Sequence, residues 1–132
     1  LGRAWHALLE KGAGEDAAAI ARAHGLNRAQ AELAAAAAAK VRERLPQFFG
    51  AGALAELELV DPGGSLLRVD RLVEHDGALW IVDFKWRVGD AERPQYEQQV
   101  RRYRAVLQAI RDDKPVRLGL VTAEGELIEV AA

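Results

Sequence analysis

An α/β domain with a mixed sheet flanked by helices is the architecture this sequence predicts, and three observations predict it. Apolar residues keep a helical 3–4 spacing through the first part of the chain, up to Pro46. The pattern then changes to short strand-like runs separated by the turn signals Asp61-Pro62-Gly63-Gly64 and Asp76-Gly77. One long helical stripe follows, and two further strand-like runs close the sequence. Helices, three strands, a helix and two strands make a mixed sheet covered by helices.

The elements follow in order. Residues 3–10 predict a short helix with Trp5, Leu8 and Leu9 on one face, broken by Lys11-Gly12-Ala13-Gly14. Residues 15–24 predict a second helix with acids in its first turn and Gly25 placed to end it. Asn27 is a good N-cap for a third, over 28–45, where the alanine run at 34–39 favours a close-packed helix. Residues 1–46 are thus a helical segment, and Phe48-Phe49-Gly50 leads into an αβ core over 53–132. Strands are expected at 54–60, 66–73 and 79–85, as a meander. A polar loop over 87–94 precedes a helix at 95–112, striped by Tyr96, Val100, Tyr103, Leu107 and Ile110, and Lys114-Pro115 stops it. Strands at 116–122 and 127–130 flank the turn Glu124-Gly125.

Composition narrows the function classes. The chain has 132 residues, one domain's length, with 50% hydrophobic and 29% charged residues, as in ordinary globular proteins. A net charge of −2 argues against a free-standing, high-affinity nucleic-acid binder. Any DNA it handles is expected to be delivered by something else. With no cysteine there is neither a disulfide framework nor a thiolate zinc site. No apolar run approaches the ~20 residues that span a bilayer, so no membrane association and a cytoplasmic location are the expectations. Starting at Leu1 and lacking methionine, the chain is expected to be a fragment of a larger protein.

The chemistry concentrates at Leu79-Trp80-Ile81-Val82-Asp83-Phe84-Lys85. Alternation along a strand puts Leu79, Ile81, Asp83 and Lys85 on one face, successive members about 6.6 Å apart. Charges ending a mostly buried strand need a partner or a metal. Asp70, in the preceding strand, is about as far from the Asp76-Gly77 turn as Asp83, so pairing of the two strands brings the carboxylates together. Two such carboxylates repel unless a cation sits between them, and oxygen ligands of this kind suit Mg²⁺ or Mn²⁺. Lys85 would then polarise a water and offset developing negative charge. From the residues alone, a second reading stands beside this one. In it Asp70 pairs with Arg71 or Arg68, and Asp83–Lys85 is a salt bridge at the rim.

The segments Arg68-Val69-Asp70-Arg71-Leu72-Val73, Trp80-Ile81-Val82-Asp83-Phe84-Lys85 and Tyr96-Glu97-Gln98-Gln99-Val100-Arg101-Arg102-Tyr103 resemble the pattern of the RecB family. These are PD-(D/E)XK nucleases, found at the C-termini of RecB and AddA helicase–nucleases. Gly2-Arg3-Ala4-Trp5-His6-Ala7-Leu8-Leu9-Glu10 is similar to the segment that precedes the nuclease core in AddA-like proteins. The resemblance implies a restriction-endonuclease-like fold and a Mg²⁺-dependent deoxyribonuclease, in exonuclease mode, with Mn²⁺ able to substitute. It implies Asp70 and Asp83 as metal ligands, with the Phe84 carbonyl and the His6 imidazole completing the shell, and Lys85 as the catalytic lysine. Gln99 and Tyr103 would face the site from the helix, and Glu56 would serve as a second-shell or second-metal acid. The implied partners are DNA and a UvrD/RecB-like helicase, in the same full-length chain or a partner subunit, acting in double-strand-break repair and recombination.

The sequence departs from the family pattern at three places. Trp86 stands where Thr or Ser is usual, Phe84 replaces Tyr, and the glycine usual before Asp70 is missing. No required charge is lost, so activity is expected to survive. The rival readings are a catalytically silent domain of the same fold that binds DNA ends or braces a helicase complex, and an unrelated phosphohydrolase acting on small phosphoesters. The absence of a phosphate-cradling glycine-rich loop counts against the second.

Overall fold

The computed structural model describes residues 1–11 and 17–132. It is an α/β fold whose five-stranded mixed sheet is flanked by helices. Helices α1 (Gly2–Lys11), α2 (Ala17–Ala23) and α3 (Arg28–Arg44) come first, then a 3₁₀ turn at Pro46–Phe48. The expected break after α1 and the acidic start of the second helix fall on residues 12–16, outside the described residues. Asn27 caps α3 as expected: its side chain accepts from Gln30 N–H at 2.8 Å, and the Gln30 side chain returns a bond to Asn27 N–H at 3.0 Å.

Strands β1 (Leu54–Val60), β2 (Leu66–His75) and β3 (Ala78–Phe84) form an antiparallel meander. Asp76 and Gly77 join the last two with φ of 51° and 77°, the left-handed pair that a two-residue hairpin requires. Helix α4 (Arg93–Ile110) then crosses over, and β4 (Val116–Val121) lies parallel to β3. Strand β5 (Leu127–Val130) pairs antiparallel with β4 as the second sheet edge, giving the order β1-β2-β3-β4-β5.

Every residue of β3 is buried, as its unbroken apolar run requires of a strand covered on both faces. One face packs Trp80, Val82 and Phe84 against Trp5 and Leu9 of α1, Ala38 and Val41 of α3, and Phe48. The other packs Leu79 and Ile81 with Val100, Tyr103 and Leu107 of α4. The alanine-rich stretch lets α3 approach closely, with Ala34 and Ala38 buried. Strand β2 does not keep strict alternation. Val69 and Leu72 both join the α4-side core, while Arg71 between them reaches α1, where its Nη2 donates to the Leu9 carbonyl at 2.8 Å. Opposite this irregularity Glu56 of β1 takes φ of 52°, a conformation costly for a non-glycine residue and common where a strand is bent for a purpose. The resulting twist in side-chain direction falls at Asp70.

Candidate active site

Asp70 and Asp83 come together at one end of the sheet. Strands β2 and β3 pair from His75↔Ala78 to Arg71↔Val82, and the acids are the next residues along. Asp83 is almost wholly buried, 2% exposed. Asp70 is half-buried; its Oδ2 accepts from Phe84 N–H at 2.8 Å and its Oδ1 lies 3.0 Å from His6 Nε2. His6 is therefore bound into the site from α1, and its Nδ1 lies 3.7 Å from Glu10. Lys85 Nζ stands 3.0 Å from Asp83 Oδ2. That contact is an ion pair without hydrogen-bond alignment, and Asp83 Oδ2 is buried with no hydrogen-bond partner among the described residues.

One part of the second reading, the Asp83–Lys85 pair, is present, and the other, an arginine partner for Asp70, is not. Arg71 serves the α1 carbonyl, and Arg68 lies 3.4 Å from both Glu56 and Glu58. Asp70 pairs with neither arginine. The Asp83–Lys85 pair exists, but its acid is core rather than rim.

The electrostatics follow from burial. Desolvation, then the charge of Asp70, push the Asp83 carboxyl up to about 7, against the pull of Lys85. Burial also acts to raise Asp70, but hydrogen bonds involving His6 and Asp83, with Phe84 N–H, outweigh it and leave this carboxyl below its usual range. The hydrogen bond to Asp70 raises His6 against its own desolvation. Burial, then the charges of Asp83 and Asp70, lift the Tyr103 phenol to about 12, opposed by a hydrogen bond with Gln99. Gln99 and Tyr103 thus lie on the α4 face turned to the acids.

The other sequence candidates fall less centrally. Phe84 contributes its N–H to Asp70. Glu56 lies on the neighbouring strand, flanked by the pairs Ala55↔Arg71 and Leu57↔Val69, but its carboxylate turns to Arg68. Arg101 donates to the Ala131 carbonyl and Arg102 to Asp61, so both serve the fold. Trp86 packs edge-on against Trp5, centroids 5.6 Å apart at 89°, which accounts for a large aromatic directly after the lysine.

Sequence reasoning missed Tyr96 as part of the site: its ring lies under Lys85, with Nζ 4.5 Å from the centroid. It also missed Phe49, which is flanked by the Arg42 and Arg71 guanidiniums at 4.8 and 4.7 Å. Arg42 and Arg71 both bond carbonyls in the last turns of α1, where the helix end is negative. Only the Tyr96 spacing three residues before Gln99 signalled any of this.

Two clefts meet at Lys85 and Tyr96. One, of about 860 Å³, runs past His6, Arg3, Trp86 and Arg87; the other, of about 530 Å³, runs past Gln99, Arg102 and Tyr103. Among the described residues no side-chain hydrogen bond or ion pair engages Arg3 or Arg87, so both guanidiniums are open to an anionic ligand.

The donor set fits a hard cation. Mg²⁺ takes one or two carboxylates and fills the rest of its shell with waters and phosphate oxygens, and Asp83 offers a buried oxygen with no hydrogen-bond partner. No group of three or more His, Cys, Asp or Glu side chains stands arranged as a metal site among the described residues. Asp70 and Asp83 are the carboxylates that meet at the end of the sheet, and His6 is engaged with Asp70.

The shifts predict a sign for stability against pH. Asp83 binds its proton more tightly folded than unfolded, so its ionisation costs stability as pH rises from about 4 through 7. His6, raised by its partner, gives stability that is full below its unfolded value and lost as pH rises through its folded one. The depressed Asp70 gives stability that is present above its ordinary value and lost only in acid. Metal-free protein is expected to lose on the order of 2 kcal/mol between about pH 5 and 8. Urea denaturation at the two pH values measures this, and excess Mg²⁺ should flatten the dependence. Stability that rises over this window would contradict the arrangement. Among the described residues no helix is long and apolar enough to cross a membrane. Comparison with known proteins finds no family model that matches the chain and no curated protein that matches it.

Proposed function

We propose that this chain is a Mg²⁺-dependent deoxyribonuclease domain of restriction-endonuclease-like fold, hydrolysing phosphodiester bonds in DNA. The observation that carries the reading is the buried pair Asp70–Asp83 with Lys85 Nζ 3.0 Å from Asp83, at the junction of two clefts. The resemblance to RecB-like nucleases supports it and adds a context. In that context a helicase, in the same full-length chain or a partner subunit, supplies the DNA during double-strand-break repair and recombination.

Asp70 and Asp83 would hold Mg²⁺ or Mn²⁺ with the Phe84 carbonyl; the His6 imidazole, which the resemblance adds as a ligand, would join them only by releasing Asp70 Oδ1, 3.0 Å from its Nε2. The bound ion would supply Lewis-acid charge and lower the pKa of a water. The chain's own residues do the rest. His6 and Phe84 N–H fix the Asp70 carboxylate at 3.0 and 2.8 Å, so it is preorganised before substrate arrives. Lys85 presents an ammonium where negative charge grows on the phosphate oxygens. Arg3 and Arg87 hold neighbouring phosphates along the larger cleft. Gln99 and Tyr103 line the second cleft and orient the scissile strand.

The test is Mg²⁺-dependent degradation of linear DNA by the chain and by Lys85→Ala. A loss on the order of 100- to 1000-fold, with binding of DNA retained, is expected. Undiminished cleavage by Lys85→Ala would sink the assignment. A silent DNA-end-binding or bracing domain is the second reading, favoured by the lack of a three-ligand cluster among the described residues. It requires DNA binding without cleavage, whether the motor is present or absent.

A further inference from the structure

We infer that Tyr96 is the positioning residue for Lys85, acting through the face of its ring; this rests on the nuclease reading above. A lysine side chain is a flexible stem with a strongly hydrated head, and nothing in its own bonding fixes where the ammonium sits. Here two features fix it. The Asp83 carboxylate lies 3.0 Å from the ammonium and the Tyr96 ring centroid 4.5 Å from it.

The first of these is a poor restraint during a reaction. Asp83 is the group on which any bound cation would draw, so its hold on the lysine weakens when the site is filled. The ring is independent of that chemistry. It comes from the first turn of α4, while the lysine follows the last residue of β3. The strand and the helix are fixed to each other by the core of Ile81, Val100, Tyr103 and Leu107. Both residues line both clefts, so the ring excludes water from one side of the ammonium and leaves the other open to a phosphate. A ring face attracts a cation through its quadrupole and offers no acceptor that would take the lysine's donors away from substrate. The hydroxyl plays no part in that attraction, so phenylalanine should serve as well as tyrosine.

The experiment combines a structural and a kinetic readout. The protein labelled with ¹³C at lysine Cε should show one of its four lysines with Hε shifted upfield by the ring. That signal should persist in Tyr96→Phe and return to the ordinary lysine position in Tyr96→Leu. On linear DNA with Mg²⁺, Tyr96→Leu should lower the rate at saturating substrate roughly 3- to 30-fold with little change in KM, and Tyr96→Phe should restore it. Thermal denaturation of both variants separates this from a loss of fold. An unshifted lysine in the wild-type chain, or Tyr96→Leu cleaving at the wild-type rate, overturns the inference. A wild-type chain that cleaves nothing, with a helicase present as well as absent, overturns the nuclease reading instead. The shift and its loss in Tyr96→Leu then still establish, or refute, placement of the lysine by the ring.

Discussion

Asp83→Asn should make the metal-free protein more stable at pH 8 while reducing Mg²⁺-dependent DNA cleavage by about 1000-fold or more. The two effects have one origin. Burial and the charge of Asp70 push the Asp83 carboxyl up to about 7, so at pH 8 the fold holds an ion that its surroundings oppose. Asparagine keeps the shape and removes the charge, and the neighbouring Lys85 is partly exposed and still rests on Tyr96. A gain on the order of 2 kcal/mol or more is expected at pH 8, smaller at pH 5 and gone only below about pH 4, where the unfolded chain's carboxyl is protonated too. Urea denaturation at both pH values gives the stability, and release of acid-soluble nucleotides from linear DNA gives the activity. If Asp83 were a purely structural partner of Lys85, its replacement would destabilise the fold instead. Stability withheld at a site for the sake of chemistry is the common trade between the two.

Trp5→Ala should cost about 3–5 kcal/mol, enough to lower the midpoint of thermal unfolding by ten degrees or more. Trp5 is 1% exposed and lies edge-on to both Phe84 and Trp86, centroids 6.0 and 5.6 Å away. Its loss opens a void between α1 and the end of β3, beside the Asp70–His6 contact. Cleavage should fall further than the remaining folded fraction accounts for, because α1 no longer seats His6. Calorimetry and the DNA assay on the same preparation measure the two losses. A change below about 1 kcal/mol would mean that the α1–β3 contact is not the anchor described here.

The strands, their turns and the helix crossing between β3 and β4 were legible in the sequence because each is encoded locally. The period of two, the Asp76-Gly77 turn and the Tyr96–Val100–Tyr103–Leu107 stripe need no distant partner to be recognised. Asp70 and Asp83 could be brought together on paper because one short hairpin fixes their register. What escaped were contacts between residues far apart in sequence. Trp86 seemed out of place after the lysine until folding set Trp5 against it. Phe49 read as part of a crossing, whereas it separates two guanidiniums that hold the end of α1. Tyr96 counted as an apolar stripe position and as the first residue of the family-like segment, with no role of its own, since no local rule points a ring in one helix at the lysine after a strand. The break in side-chain alternation along β2 was signalled only by the missing glycine, and the positive φ at Glu56 by nothing at all.

The attachment of α1 has a consequence for how the site comes apart. Asp70 and Asp83 belong to the paired strands β2 and β3, with Lys85 directly after the second, and core strands are the last elements to open. His6 and Trp5 belong to a helix tied to those strands by side chains: Arg42 and Arg71 on the carbonyls of Leu8 and Leu9, and an aromatic cluster at Phe84 and Trp86. Detachment of that helix alone would break no strand pairing. It would leave both carboxylates and the lysine in register while uncovering the larger cleft along its whole α1 side. The domain therefore has two levels of order: strands that hold Asp70 and Asp83 by backbone pairing, and a helix held beside them through side chains.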